Sequence, residues 1–199
     1  MKNFNQTKAG YTIIETMISI SVFLVVIMIG MDTLLNANVV HQKSQDMSSI
    51  IDSLSFTMED MARNIRVGSY YRCIAVAGDL DSSVIGMPKT GNNCFGIAFE
   101  ASTPAGNPLV STDQWVYYIA TGKLYKSTDG GANFTQLTLD NTVVGSSPSI
   151  AGFLILGAEQ PPDKQQPIVT IRLSGNITYK NVVSPFSLQT SVSQRLVDR

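Results

Sequence analysis

The segment Lys8-Ala9-Gly10-Tyr11-Thr12-Ile13-Ile14-Glu15, with the apolar run that continues to Met31, decides the fold of this chain. From Tyr11 to Met31 there are 21 residues, of which 15 are apolar, and none is Pro, Lys or Arg. A helix rises about 1.5 Å per residue, so the run would span about 30 Å, the thickness of a bilayer's hydrocarbon core. Because backbone groups in lipid must pair internally, the sequence predicts a helix here.

Two ordinary explanations of this segment each leave something unexplained. A secretory signal peptide has its small-residue cleavage site after the apolar run, where only the weak match Leu35-Asn36-Ala37 is found. A better small-residue cleavage site, Ala9-Gly10, lies before the apolar run instead of after it. A plain membrane anchor does not account for Glu15, because a carboxylate within a bilayer costs up to about 3 kcal/mol and by default suggests a function.

Gly10, the residues from Tyr11 to Glu15 and the apolar helix after them resemble the amino terminus of the type IV pilin and pseudopilin family. The resemblance covers only about the first 30 residues, but the glycine, the glutamate spacing and the apolar run all agree. Two positions depart from the family's pattern. Tyr11 stands where Phe is usual, and Asp32 stands where many major pilins carry a Pro that kinks the helix. The second departure favours a minor pilin over a typical major subunit.

The resemblance implies a specific processing and assembly route. A prepilin peptidase would remove the leader, residues 1–10, by cutting after Gly10, and the new amino terminus on Tyr11 would be N-methylated. Glu15 would then neutralise the amino terminus of a neighbouring subunit during assembly, an attraction that is strong where the dielectric is low. The implied partners are the peptidase, other pilin or pseudopilin subunits, an inner-membrane assembly platform and the lipid around residues 11–31.

The implied location is the bacterial cytoplasmic (inner) membrane, with a single crossing, the carboxyl-terminal domain outside, and the pilus or cell surface as the destination after assembly. Lys2 and Lys8 agree with an amino terminus left in the cytoplasm. The chain has 15 acidic and 14 basic side chains, a net charge of −1. No strong basic field therefore indicates nucleic acid as the main partner.

Cys73 and Cys94 are the two cysteines of the 199-residue chain. In an oxidising compartment such a pair is expected to form one disulfide. The alternative is two separate buried thiols. A metal site is disfavoured, because two Cys and the single His41 do not supply four ligands at a useful spacing.

The apolar helix is predicted to continue well beyond Met31, through an amphipathic part at residues 32–67. No Pro or Gly occurs between Asp32 and Val67, and Gly68 is a natural stop. Apolar residues three and four apart form one stripe: Met47, Ile50, Ile51, Leu54, Met58, Met61 and Ile65. A single helix of about 55 residues follows from this pattern, the alternative being two helices broken near Asn36-Ala37-Asn38.

The remaining residues, 68–199, are predicted to form one globular β-rich domain. Residues 68–114 look irregular, with short candidate strands at Cys73–Val76 and Phe95–Phe99. The segment Asp79–Ser83 starts like a calcium loop but lacks the later glycine and glutamate, so we interpret it as a polar loop.

Residues 115–196 read as an antiparallel sheet with alternating apolar and polar positions. The candidate strands are Trp115–Ala120, Lys123–Ser127, Phe134–Leu139, Gly152–Leu156, the alternation at Val169, Ile171 and Leu173, and that at Phe186, Leu188, Thr190 and Val192, with a loop at Pro161-Pro162. The predicted fold class is α+β: a long amino-terminal helix, transmembrane in its first half, packed on a carboxyl-terminal antiparallel sheet. The pilin resemblance implies the same layout. The end of the chain, with Gln194-Arg195 after the last alternation, also resembles larger minor pilins and J-type pseudopilins, though less specifically.

The segment from Ser127 to Phe134, Ser-Thr-Asp-Gly-Gly-Ala-Asn-Phe, resembles an Asp-box, a small hairpin repeated in sialidase-like propellers. The interactions that stabilise such a hairpin lie within the segment itself: Ser and Asp accept hydrogen bonds from turn amides, Gly permits positive φ, and Phe anchors the hairpin. A propeller needs several blades, and the segment occurs once. We therefore interpret it as a stabilised hairpin.

No known catalytic motif is present, so the chain is predicted not to be an enzyme and to need no cofactor or metal. His41 is expected to face solvent or to pack on the helix. Asp129, Asp140 and Asp163 stand at turn-like positions, where Asp is expected. The aromatic residues Tyr70-Tyr71, Trp115 and Tyr117-Tyr118 are expected to form either a ligand-binding surface patch or part of the sheet core.

Two functions of different class remain. The first is a structural subunit, a minor type IV pilin or pseudopilin that packs into a filament through its amino-terminal helix. The second is a membrane-anchored binding module or adhesin that does not polymerise. A third, a glycan-active enzyme suggested by the Asp-box, would need further repeats and acidic or Tyr catalytic groups, which the sequence does not offer.

Overall fold

The structure of the chain, a computed structural model, describes most of the sequence. The described residues are 10–76, 87–101, 110–145, 147, 149–159, 165–179 and 182–195. The leader up to residue 9, the calcium-loop-like segment Asp79–Ser83, the Pro161-Pro162 loop and Asp163 lie outside them.

One α-helix, α1, runs without interruption from Ile13 to Val67, a length of 55 residues. The prediction of a single helix is confirmed, and no break occurs at Asn36-Ala37-Asn38. The helix ends at Gly68, whose N–H donates to the carbonyl oxygen of Asn64 at 3.1 Å. A Cβ at Gly68 would overlap the Phe99 ring, so the close approach of a neighbouring strand requires glycine at this stop.

The chain divides into two compact units, Met1–Asp46 and Met47–Arg199. The first contains the apolar part of α1. The second contains the last part of α1, from Met47, and every described strand. The two units are described separately below.

The second unit contains ten strands among its described residues. They are β1 (Ser69–Ile74), β2 (Gly91–Cys94), β3 (Gly96–Glu100), β4 (Trp115–Ala120), β5 (Lys123–Ser127), β6 (Thr135–Gln136), β7 (Thr142–Val144), β8 (Gly152–Leu156), β9 (Ile168–Tyr179) and β10 (Val182–Ser193), with a 3-10 helix at Ser111–Asp113 before β4.

These strands form two antiparallel sheets, where the sequence predicted one. The first sheet has the order β1-β3-β4-β5-β6, and the second has the order β10-β9-β8-β2, with β7 also paired to β9. The stretch 68–114, expected to be irregular, supplies β1 and β3 to the first sheet and β2 to the second. These strands are only four to six residues long and pair partly with strands distant in sequence, so their local patterns were weak.

Several strand predictions are confirmed, and others differ in extent: the predicted strand Cys73–Val76 overlaps β1, Ser69–Ile74, and Phe95–Phe99 overlaps β3, Gly96–Glu100. β4, β5 and β8 have the predicted bounds. In β9, Val169, Ile171 and Leu173 are buried, as their alternation indicated. The predicted strand Phe134–Leu139 shrinks to Thr135–Gln136, because Phe134 belongs to the preceding hairpin turn.

The core of the second unit lies among the helix segment and the two sheets. The predicted stripe on α1 is largely confirmed, since Ile50, Leu54, Met58, Met61 and Ile65 are buried, although Ile51 is exposed. The main cluster combines three groups: Met58, Met61 and Ile65 from α1; Ile97, Phe99, Tyr117, Ile119 and Leu124 from the first sheet; and Phe153, Ile155, Val169, Ile171 and Leu173 from the second. An α+β fold with a long amino-terminal helix and carboxyl-terminal antiparallel strands is the result.

A disulfide joins the two sheets of this unit. Cys73 on β1 is bonded to Cys94 on β2, as the sequence predicted, and both residues are buried. Gly91 lies against the bond, and a Cβ there would overlap the Sγ of Cys73. The alternative of two separate thiols is thereby excluded.

Candidate functional site

The amino-terminal turn of α1 is organised by Thr12. Its side-chain oxygen accepts a hydrogen bond from the Glu15 backbone N–H at 3.4 Å, and its carbonyl accepts one from the Thr16 N–H at 3.2 Å. Thr12 therefore acts as the N-cap, and Thr12-Ile-Ile-Glu15 has the spacing of a capping box. The sequence analysis did not single out Thr12, although a threonine three residues before an acid and ahead of an apolar run is the signal for such a cap.

The other hydroxyl groups of the apolar segment are satisfied within the helix itself. Thr16 donates to the Ile13 carbonyl at 2.8 Å, Ser19 to the Glu15 carbonyl at 2.8 Å and Ser21 to the Met17 carbonyl at 2.9 Å. Each bond runs back by three or four residues, which lets a hydroxyl group exist in an apolar environment without an outside partner.

The Glu15 carboxylate differs from these hydroxyl groups in its hydrogen bonding. From Thr12 to Met31, all of which the structure describes, it is the one side-chain polar group without a hydrogen bond. It lies in the first turn of α1, where the helix dipole favours a negative charge. A carboxylate in this position is available to a cationic group outside its own chain.

The apolar side chains around this carboxylate are exposed. Apart from the half-buried Ile27, the large apolar residues of α1 from Ile13 to Val40 are exposed, and none of the most apolar 18-residue window is buried. By length and composition this part of the helix is long and apolar enough to cross a membrane. An apolar surface of this size needs lipid or other helices to cover it.

Gly10 and Tyr11 precede the helix, and both are exposed. The peptide bond between them lies outside secondary structure, where a protease has access to an extended backbone. The remainder of the proposed leader lies outside the described residues. No cleavage or methylation is tested by this geometry, so both stay predictions.

In the second unit, a polar network connects the end of α1 to the first sheet. The Asn64 amide donates to Asp60 Oδ2 at 3.1 Å and to the Tyr117 hydroxyl at 3.0 Å. Asp60 also pairs with Lys126 at 3.6 Å, and the Lys126 ammonium lies 4.3 Å from the Trp115 ring centroid. Burial raises the pKa of Tyr117, so its hydroxyl stays neutral and can both accept and donate.

The Asp-box-like segment forms a tight turn after β5. Ser127 Oγ lies 2.6 Å from Asp129 Oδ1 and accepts from the Gly131 N–H at 2.9 Å. Asp129 accepts from the Asn133 backbone N–H at 3.0 Å and from its side-chain amide at 2.7 Å. Gly130 and Gly131 have positive φ, 69° and 89°. The segment is thus a self-contained turn, as predicted, and its hydrogen bonds hold Phe134 against the sheet.

We expect Asp129→Ala to lower the thermal stability of the chain modestly at neutral pH. The Ser127 hydroxyl, and then the Asn133 backbone and amide, lower the pKa of Asp129 to about 2. Because the folded pKa lies below the ordinary 3.8, this stabilisation is fully present above pH 4 and is lost as the pH falls towards 2. Thermal unfolding of both proteins from pH 7 to pH 2 should show their Tm values converging in acid. A difference that does not depend on pH would contradict this role of the carboxylate.

The aromatic residues singled out in the sequence do not form one patch. Tyr71 and Tyr117 are buried in the main core, whereas Tyr118 lies on the opposite face of the first sheet. There it pairs with Tyr125 in the β4–β5 register. The centroid of the Phe134 ring lies 6.4 Å from that of Tyr118 and 6.5 Å from that of Tyr125. Phe134 was predicted to anchor the hairpin, but neither its contact with Tyr118 nor the role of Tyr125 was predicted, although the hairpin register at Thr121-Gly122 could have placed Tyr125.

These three rings, with Ala120 and Thr121, line a shallow apolar depression of about 240 Å³. Its surface is mostly apolar and offers rings for stacking, so it can hold an apolar or planar group.

His41 lies on an exposed part of α1, with its Nε2 atom 3.1 Å from the Gln45 amide nitrogen. This is a local contact between residues four apart on one helix. Among the described residues, no three His, Cys, Asp or Glu side chains come together as a metal site.

Comparison with known proteins finds no family model, no curated protein and no solved structure that matches this chain.

Proposed function

We propose that this chain is a minor type IV pilin or pseudopilin, a structural subunit held in the bacterial inner membrane by α1 and packed into a filament through the same helix. The observation that carries the proposal is the unpaired Glu15 carboxylate at the start of an exposed apolar helix of membrane length. The motif around Gly10 supports it by supplying the processing site that would create a free amino terminus on Tyr11, with Glu15 as the fifth residue of the mature chain.

In this proposal, the mechanism is burial plus charge pairing, and no catalysis is involved. A subunit waiting in the membrane keeps its apolar helix in lipid. Assembly exchanges lipid contacts for helix–helix contacts, which are close in energy because both surroundings are apolar. The pairing of Glu15 with the amino terminus of Tyr11 on a neighbour then decides the register, since an unpaired charge in low dielectric is costly.

Replacing Gly10 with Trp should block removal of the leader. A bulky side chain next to the cut would obstruct the peptidase, whereas among the described residues no atom lies within 4 Å of a Cβ at this position. We expect the variant to remain in the membrane at its full length and to be absent from sheared filaments. Immunoblotting of membrane and sheared fractions measures both, with Gly30→Trp, at the glycine within α1, as the control that should still be processed. Normal trimming of the Gly10 variant would contradict the proposed cut site.

The alternative function is a membrane-anchored binding module that does not polymerise. The depression lined by Tyr118, Tyr125 and Phe134 favours it, because that surface could hold a ligand without any filament. Mechanical shearing separates the two functions. A pilin is recovered in the sheared fibres with its leader removed, whereas a lone anchored module stays with the cell membrane.

A further inference from the structure

A buried polar cluster lies at one end of the first sheet, where β3 ends and β4 begins. Glu100 is 3% exposed, and neither of its carboxylate oxygens has a hydrogen-bond partner among the residues that the structure describes. Gln114 is 0% exposed, and neither atom of its amide has one. Asp113 adds a third buried oxygen, its Oδ1, also without a partner. Folded proteins seldom leave such atoms unpaired, so this concentration needs an explanation.

The strand register brings these groups together. Phe99 pairs with Trp115 across β3 and β4, so the next positions outward, Glu100 and Gln114, stand opposite each other on the same face of the sheet. Asp113, at the end of the 3-10 helix, is the neighbour of Gln114 in the chain. The three residues therefore lie close together at this end of the sheet, where the Asp113 charge and the Gln114 side chain both act on the Glu100 carboxyl.

The electrostatics of the cluster agree with this geometry. Burial, and then the negative charge of Asp113, raise the pKa of Glu100. The Gln114 amide lowers this pKa, although the amide and the carboxylate do not have the geometry of a hydrogen bond. A bound cation would stabilise the ionised form of a buried acid such as Glu100, whose ionisation burial and a neighbouring negative charge oppose.

We infer that Glu100, Asp113 and Gln114 bind a calcium ion. The donors that these side chains offer to a metal are oxygens: two carboxylates and one amide carbonyl. Hard cations prefer such a set, and zinc and copper, which favour sulfur or imidazole, do not. Calcium fits better than magnesium, because it accepts six to eight oxygens in irregular geometry whereas magnesium demands a near-ideal octahedron. The inference concerns the second unit alone and does not depend on the proposed filament.

The site offers its own spectroscopic reporter. Trp115, the single Trp of the chain, follows Gln114 directly. Terbium, which replaces calcium at oxygen sites, should luminesce when this Trp is excited, and added calcium should quench the signal by competition. The full-length chain in detergent micelles, stripped of metal with EDTA, is the sample for this titration.

Thermal unfolding gives the second readout. Calcium in a hundredfold excess over its Kd should raise the Tm by roughly 5 °C, because a ligand bound only by the folded state stabilises that state. Glu100→Gln and Asp113→Asn should each abolish both the rise and the terbium signal. In EDTA, Glu100→Gln should unfold at or above the Tm of the parent, because a buried acid has been removed. Asp52→Asn, at an exposed acid on α1, should keep the full calcium response.

The outcomes are distinct. If calcium leaves the Tm of the parent unchanged and terbium gives no Trp-sensitised signal, the cluster holds only protons or water and the inference is overturned. It is overturned equally if both substituted acids keep the calcium response. Should Glu100→Gln fail to fold, Asp113→Asn, at a half-buried residue, carries the test alone.

Discussion

Glu15→Gln should leave the chain inserted in the membrane but reduce its recovery in sheared filaments at least about tenfold. Removing one partner of a buried charge pair costs about 3–5 kcal/mol, and about 1.4 kcal/mol already corresponds to a factor of ten. Membrane insertion should be unaffected, because the apolar residues that drive it are unchanged. Quantitative immunoblotting of the sheared and membrane fractions measures the ratio.

Gln is the informative replacement because Glu15 has a second, purely local role to exclude. Thr12 and Glu15 have capping-box spacing, and Gln serves in that box nearly as well as Glu. Glu15→Gln therefore removes the charge and keeps the cap. Thr12→Ala does the reverse, and it should weaken the first turn by about 1 kcal/mol while leaving assembly largely intact. If Thr12→Ala lost filaments and Glu15→Gln kept them, Glu15 would be a capping residue and the charge-pairing account would fail.

Phe99→Ala should be among the most destabilising substitutions in the second unit, lowering its free energy of unfolding by about 3–5 kcal/mol. Phe99 is 0% exposed, and its ring lies 5.9–6.3 Å, centroid to centroid, from the rings of Tyr71, Trp115 and Tyr117. Its removal leaves a cavity where β1, β3 and β4 meet, and the surrounding rings are too rigid to fill it. Urea unfolding of the full-length protein in micelles, followed by the fluorescence of Trp115, measures the change.

Phe56 provides a matched control for this substitution. It is the same residue type on α1, but its side chain is 74% exposed. Phe56→Ala should change the free energy of unfolding by no more than about 0.5 kcal/mol. Equal losses for Phe56→Ala and Phe99→Ala would mean that the core described here is not the one that holds the fold together.

The elements that were predictable from the sequence are those fixed by local pattern. α1 carries one periodic stripe with no breaker between Asp32 and Val67, so a single helix was the natural expectation. The β4–β5 hairpin has a turn dipeptide between two strand-like runs, and β8 is a continuous apolar run. In each case the information lies within about ten residues, which is the range over which single-sequence patterns are informative.

The division into two sheets was not predictable, because it depends on pairings between distant segments. β2 has the sequence Gly-Asn-Asn-Cys, which is not strand-like, and it becomes a strand by pairing with β8 about 60 residues later. The cluster at Glu100 and Gln114 was hidden for the same reason. Neither residue is unusual alone, and only the β3–β4 register and the burial of both make them a candidate site.

The candidate filament site was predictable in its residue identities but not in its hydrogen bonding. The spacing of Gly10, Glu15 and the apolar run is visible in the sequence. That Glu15 alone lacks a partner, while Thr16, Ser19 and Ser21 bond back to the helix, follows only from the side-chain geometry. This difference makes the carboxylate a candidate for pairing between subunits.

The most direct test is mass spectrometry of the amino terminus of the chain recovered from sheared surface filaments. We predict a mature protein that begins at Tyr11 and carries one methyl group on its α-amino nitrogen. A chain that begins at Met1, that has been cut after the apolar helix, or that is missing from the sheared material altogether would contradict the filament-subunit account.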